Sequence, residues 1–541
     1  MHWFDELFPR IESFLGEKDS IVISAGLSVS GLQHVGRLRG EVILSNAVAV
    51  ALRKKEREVS QMLVLYTQDS WKGKDGQLEQ FEGEDGKEYI GRRLIDVPDP
   101  KGCHGSWVDH YWKDFGDVLE EFARDVKITS TTDVYQTEEM KKNVLELLKK
   151  GDAIRETINK YRGRMKYPEG WIPFEPLCKS CMKIGTAEAL SVSDDGQVSY
   201  KCSCGEEGVS SIEEGKLNWR LEWPSLWKVL KVDIEPFGKD HATPGGSRDS
   251  CKDIAKNIMG LEPPFGMPYE WVGMSSEGTD LGDMSSSSFK GFTPREWLEL
   301  GEPQALRYIY LQANPSKRIV LDLSKIDIYH DHLDAGFQSY WEKEKDEQGE
   351  LAARTLEISA VDFVAREDMF ILPYKEASLL TQISPPEDKL HWVVSRLTDT
   401  GILQKDLADD ESQHLSGRLD LAETWIKKHA PESYHVELLD EVPEDVRNAL
   451  TEDDLRSLET FREVIAQADW NENALKEAMM KMTKGEGFPV NTGRFFRNLY
   501  LAMLGKEQGP RAAPFLSVLK KEFVLERLDD AIQSQKPSSK G

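Results

Sequence analysis

The 541-residue chain contains only six cysteines, far too few to staple a fold by disulfides, and four of them fall in one short segment. Long apolar runs are missing too. Apolar stretches such as Ile21-Val22-Ile23 and Met62-Leu63-Val64-Leu65-Tyr66 have the length of a strand and fall far short of the roughly 20 residues that cross a bilayer. The opening Met1-His2-Trp3-Phe4-Asp5-Glu6 lacks the basic region and apolar stretch of a secretion signal, so a cytoplasmic protein without a membrane partner is expected. Positive charge is scarce: 69 Lys and Arg stand against 95 Asp and Glu, a net charge of −26. That balance excludes a uniformly basic coat for nucleic acid but leaves room for a local basic stripe. What remains, 39% hydrophobic and 30% charged, is globular, and the length suits roughly three or four domains.

Along the chain, residues 1–17 read as an amphipathic helix. A buried strand at Ile21–Ala25 follows, then a Gly/Ser-rich turn at Gly26–Gly31, a helix from about Val35 to Glu56 and a second strand, Met62–Thr67, apolar on both faces. Strand, glycine loop, helix and strand in this order open a doubly wound nucleotide-binding fold. Residues 71–91, rich in Gly and charge, read as a long loop, and 92–164 as helical. Strand-like sequence returns at Trp227–Glu235. From Asp368 onward helical periodicity dominates, with Asp406–His429 and Glu444–Ala468 as long amphipathic examples, and residues 534–541 read as a disordered tail.

Three stretches carry chemistry. Ser24-Ala25-Gly26-Leu27-Ser28-Val29-Ser30-Gly31-Leu32-Gln33-His34-Val35-Gly36-Arg37 follows the first strand: its small residues admit a ligand to the backbone, the new helix offers free N–H groups, and His34 can donate to phosphate. Asp283-Met284-Ser285-Ser286-Ser287-Ser288-Phe289-Lys290-Gly291 is a serine-rich loop beyond the second half of the sheet. Cys178-x2-Cys181 with Cys202-x-Cys204 has the spacing of two knuckles around tetrahedral zinc, and with no histidine or carboxylate completing an open site the metal reads as structural.

The first two stretches resemble the HIGH and KMSKS signatures of class I aminoacyl-tRNA synthetases. Further segments narrow the resemblance to the class I lysyl-tRNA synthetases: Asp96-Val97-Pro98-Asp99-Pro100-Lys101-Gly102-Cys103-His104, Trp219-Arg220-Leu221-Glu222-Trp223-Pro224, Glu235-Pro236-Phe237-Gly238-Lys239-Asp240-His241, Pro268-Tyr269-Glu270-Trp271 and, near the end, Phe495-Phe496-Arg497-Asn498-Leu499-Tyr500. That family implies an α/β architecture. A Rossmann-type doubly wound catalytic domain (1–95 and 216–290) would carry a connective insertion (96–215) with a zinc ribbon at 173–215. A stem-contact region (291–385) and an all-helical anticodon-binding domain (386–533) would follow.

It also implies ATP-dependent ligation of lysine to tRNA(Lys) through lysyl-adenylate, with Mg²⁺ accompanying ATP, structural Zn²⁺ on Cys178, Cys181, Cys202 and Cys204, and a monomer as the expected state. By the resemblance, His34 and Gly36 border ATP with Ser30, Asp240, Gly245, Gly246, Met284, Ser285 and Ser287. Gly26, Ser28, Trp219, His241 and Tyr269 line the lysine pocket, where Glu270, with Glu41 second, is the expected partner of the ammonium. Phe495, Phe496, Tyr500 and Arg511 are candidates for anticodon contact. The sequence departs from the family at Arg37, Gly40, Gln68-Asp69 and Asp283, where Asn, Glu, paired aspartates and Lys are usual. Lys290 is then the cation expected to serve the leaving pyrophosphate. The departures leave a second reading open, a paralogue that binds RNA without charging it or that activates another amino acid.

Overall fold

The computed structural model describes residues 1–541 except 83–84, 164, 361–364, 440, 486 and 534–541; the tail expected at 534–541 lies outside the described residues. The chain divides into two compact units, residues 1–298, 303–322 and 335–364 forming one, and 299–302, 323–334 and 365–541 the other. Residues 291–385, expected as a stem-contact region, are shared between both units.

The first unit is built on a five-stranded sheet in the order Phe265–Tyr269, Ile234–Gly238, Ser20–Leu27, Glu58–Leu65, Val126–Ser130, with every neighbouring pair parallel. Parallel neighbours need helical crossovers, which bury both faces, and Ile21, Ile23, Ala25, Leu27, Leu63 and Val64 are accordingly buried. The strand order reverses between Ser20–Leu27 and Ile234–Gly238, and the crevice beyond the carboxyl ends of two such strands is where open α/β sheets bind ligands. The helix after the first strand runs as Gly36–Leu38, a π-helical stretch Arg39–Leu44, and Ser45–Arg53. Wide turns of this kind cluster at functional sites.

Four expectations need correction. Val126–Ser130 is the edge strand of the main sheet, so the first half of the sheet does not end at residue 95; its alternation is half exposed and too short to stand out. Residues 71–91 are not a bare loop, because Trp71 and Phe81 are buried against Trp107 in an aromatic cluster and a helical turn forms at Asp75–Leu78. Trp227–Val229 ends the helix Trp219–Val229, with the strand beginning only at Ile234. Glu444–Ala468 is two helices, Glu444–Ala449 and Glu452–Gln467, because Thr451 caps the second through its hydroxyl and Asp454 returns the bond.

Between the sheet halves, Phe174–Glu175 pairs antiparallel with Lys216–Leu217 and closes a loop of chain that carries a small three-stranded antiparallel sheet, Ala187–Val192, Gln197–Cys202 and Glu207–Ser211. The second unit is helical apart from its turns, with Tyr374–Ile383, Lys389–Asp399, Asp409–Lys428, Glu452–Gln467, Glu472–Thr483, Thr492–Leu504 and Lys521–Gln533 as its main elements. Arg418 is fully buried there, bound to Glu302 at 2.8 Å and Asp334 at 2.9 Å.

Candidate active site

A cavity of about 820 Å³ opens at the crevice where the strand order reverses. It brings together most of the residues that the sequence singled out: Gly26, Ser28, Ser30, His34, Gly36, Trp219, Asp240, His241, Tyr269, Met284, Ser285 and Ser287 all line it. Four expected residues are elsewhere. Gly245 and Gly246 form the turn before the helix Ser247–Ile254, where the Gly245 N–H donates to Asp249 at 2.9 Å. Glu270 is turned away into an ion pair with Lys239 at 2.5 Å. Lys290 does not line the cavity, and its ammonium donates to the Leu281 carbonyl.

One end of the cavity is shaped by the glycine loop and the serine loop. His34 is buried, and its Nδ1 has no hydrogen-bond partner among the described residues. Burial first, and the nearby Arg37 second, push its pKa down to about 3, so the ring is neutral at physiological pH and can donate one N–H without carrying charge. The glycine two residues on has a steric reason: a Cβ at Gly36 would lie 2.8 Å from His34 Nδ1. The cations at the cavity wall are Arg37, Lys72, Lys74 and Lys216. Lys74 donates to the Ser287 hydroxyl at 3.0 Å, while Arg318 holds Asp283 at 2.6 Å and grips Asp280 through two nitrogens.

The other end is aromatic. Trp219 stacks on Trp223 at 5.2 Å between ring centroids and meets Tyr66 edge-on at 5.4 Å, and Trp223 meets His241 at 5.0 Å. Glu235 fixes this wall by accepting from Trp223 Nε1 at 2.7 Å and Trp227 Nε1 at 2.9 Å. Glu41 lies within the cavity lining and is buried; Arg37 donates to it at 3.2 Å, and burial raises its pKa against the opposing pull of Arg37 and the Tyr269 phenol. Gly40 belongs to the same arrangement, because any Cβ there would overlap the Tyr269 ring.

Sequence reasoning missed a third feature, the buried Lys216, which contacts Asp69 at 2.5 Å and Glu222 at 2.9 Å with Glu175 nearby. Burial opposes its charge, but these carboxylates prevail and hold it protonated. Gln68, standing where paired aspartates are usual, instead donates to the Gly215 carbonyl at 3.3 Å. Trp223 could have been found from the i, i+4 recurrence of Trp219, Trp223 and Trp227 on one helix face.

Away from the cavity, the four cysteines converge: Cys178 and Cys204 sulfurs are 3.7 Å apart, as are those of Cys181 and Cys202, and all four lie within 4.8 Å of one another. Tetrahedral zinc with bonds of about 2.3 Å needs sulfurs about 3.8 Å apart, so the group fits that metal. In the second unit, Phe495 and Tyr500 are buried core residues, whereas Phe496 is half-buried and Arg511 exposed.

A nucleotide-type crevice, a neutral histidine beside a glycine and a serine loop across from it define a class I aminoacyl-tRNA synthetase. A family model described as tRNA synthetases class I (K) matches residues 1–362, and one described as anticodon binding domain matches residues 426–532. The chain belongs to the class I (K) tRNA synthetases. It is 42% identical to the lysine–tRNA ligase of Aeropyrum pernix over 98% of each chain. It is also 31% identical to that of Pyrococcus horikoshii, over 98% of this chain and 99% of the relative. A solved glutamate tRNA ligase from Elizabethkingia meningosepticum is a distant likeness, 13% identical with a TM-score of 0.32, covering 95% of this chain and 99% of that one.

Proposed function

We propose that this chain is a lysine–tRNA ligase, joining lysine to tRNA(Lys) through lysyl-adenylate at the expense of ATP. The observation that carries the reading is the single cavity that joins an aromatic wall and a buried carboxylate to the two signature loops. A lysine side chain needs apolar cover for its methylenes and an anion for its ammonium. Trp219, Tyr66 and Tyr269 offer the first, and Glu41, which lines the cavity, replaces Glu270, which does not, as the anion. An arriving ammonium would also relieve the unfavourable burial of Glu41.

In adenylation the lysine carboxylate attacks the α-phosphate in line and pyrophosphate leaves, with the protein acting by positioning and charge stabilisation. Neutral His34 donates to phosphate oxygen, Ser285 and Ser287 add hydroxyls from the opposite loop, and Lys74 supplies positive charge where it builds on the leaving group. Mg²⁺ would arrive on the triphosphate and neutralise part of its charge. The terminal adenosine of tRNA then takes the lysyl group on its 2′-hydroxyl, and exposed residues of the second unit read the anticodon. The cysteine cluster would hold a structural zinc. ATP and tRNA make the cytoplasm the place of this work.

No observation favours the noncharging paralogue. Pyrophosphate exchange with each of the twenty amino acids separates the two readings: a signal with lysine alone is expected, and silence with all twenty would overturn the proposal.

A further inference from the structure

The Arg37 guanidinium serves two places at once. Its Nη1 donates to Glu41 Oε1 at 3.2 Å, and its Nε donates to the Ser286 hydroxyl of the serine loop at 3.4 Å. All three residues line the cavity. The other oxygen of Glu41, Oε2, is buried with no hydrogen-bond partner among the described residues. A buried polar atom left unmet is costly, and in a pocket for a cationic side chain this oxygen is the seat that the ammonium completes.

The two partners differ in exposure. Arg37 keeps 28% of its side chain exposed and is charged whatever the site holds, whereas Glu41 keeps 4% and has no water to hold it ionised. Burial favours its protonated form, and Arg37 is the strongest influence in the other direction. A protonated Glu41 would meet lysine as a neutral acid, and the substrate would have to expel a proton in order to bind.

The surrounding groups leave that task to Arg37. The Tyr269 phenol, from the strand Phe265–Tyr269, also acts on Glu41, but it is neutral, and Asp240 beyond the next strand acts on Tyr269. Arg39, on the same helix as Glu41, is turned to the carbonyls of Glu270 at 2.8 Å and Lys317 at 2.6 Å. Glu235 is taken up by Arg248, Tyr310 donates to the Val35 carbonyl at 3.1 Å, and His34 is neutral.

We propose that Arg37 is a positioning residue that holds the Glu41 carboxylate with its second oxygen free for the substrate ammonium, and that it ties the filled pocket to the serine loop through Ser286. This inference rests on the proposed lysine site. Because the ammonium takes Oε2, Arg37 keeps its bond to Oε1 when lysine arrives. One rigid fork then spans the amino-acid pocket and the loop that closes on the phosphates. A lysine at position 37 would supply the charge without the fork.

The test is the pH dependence of kcat/KM for lysine in pyrophosphate exchange by the full chain between pH 6 and 8, which reports groups of the free enzyme. The wild-type profile is expected to be flat. In Arg37→Met it should fall toward acid, by about tenfold or more across the window, as Glu41 takes up a proton. Arg37→Lys should restore the flat profile with kcat several-fold below wild type, and the double variant Arg37→Met, Glu41→Gln should be flat at a low level. A flat profile in Arg37→Met, or a slope that survives in the double variant, overturns the proposal. Calorimetric titration with lysine in two buffers of different ionisation heat needs no turnover, and Arg37→Gln serves if Arg37→Met does not fold. At pH 7 lysine should displace no proton from the wild-type chain and part of one from either variant. Equal proton release by wild type and variant overturns this inference alone, whereas no lysine binding by the wild-type chain overturns the proposed site and this inference with it.

Discussion

Lys74 donates to the hydroxyl of Ser287 at 3.0 Å, so the serine loop is tied to a cation that comes from the segment between the first strands and the helical region. Lys290, the cation within the loop, is held by the Leu281 carbonyl and does not line the cavity. Lys74→Ala is therefore expected to lower adenylation by roughly 10²-fold with lysine affinity unchanged, the scale of one lost preorganised donor. Lys290→Ala should stay within a few-fold of wild type. Pyrophosphate-exchange kinetics decide it, and the reverse ranking returns the role to Lys290.

Arg318 binds Asp283 and Asp280 together, and this is what the aspartate at the usual lysine position does. Arg318→Ala should loosen the serine loop and reduce kcat several-fold. Exposed ion pairs of this sort are worth about 0–1 kcal/mol, so the thermal midpoint should barely move. A large loss of stability with normal kcat would contradict the assignment.

Glu41 is buried with its pKa raised, a costly arrangement that substrate binding would relieve. Glu41→Gln is expected to raise KM for lysine on the order of 10- to 100-fold, matching a lost charge-assisted hydrogen bond of about 1.5–3 kcal/mol. Its effect on folding stability near neutral pH should be neutral or favourable, because a buried charge is removed. Calorimetry on the unliganded variant, beside its lysine kinetics, checks both parts.

His34 has a folded pKa of about 3 against an ordinary 6.5. The unfolded chain therefore binds the extra proton first, so this histidine's contribution to stability is complete above about pH 6.5 and is lost as pH falls toward 3. His330, at about 4, shares that window. His34→Gln should flatten the acid limb of stability in denaturant titrations, and wild-type kcat should show no ionisation of this residue between pH 5 and 8. A kinetic pKa near 6.5 that vanishes in His34→Gln would refute a neutral donor.

Arg511 is exposed and Arg497, which is half-buried, pairs with Glu507, whereas Phe495 and Tyr500 are core. Anticodon contact is thus expected of the arginines and of half-buried Phe496. Arg497→Ala with Arg511→Ala should raise KM for tRNA about tenfold and leave pyrophosphate exchange untouched. Phe495→Ala should instead unfold the helical unit, costing about 3–5 kcal/mol.

The local rules written along the chain decided a good deal by themselves. The order of an apolar strand, small residues, His34 and Gly36 was enough to place a crevice at the end of the first strand, because such loops leave backbone access and free N–H groups immediately after a strand. The Cys178-x2-Cys181 and Cys202-x-Cys204 spacing was enough for a cluster, since two knuckles bring four sulfurs together whatever surrounds them. Tertiary structure decided which charges face the cavity. Glu270 ranks ahead of Glu41 in one dimension, and only the packing pairs the first with Lys239 and buries the second beside Tyr269. Lys216, Asp69 and Glu222 meet because the pairing of Phe174–Glu175 with Lys216–Leu217 folds distant segments together, a long-range event that leaves no periodic trace.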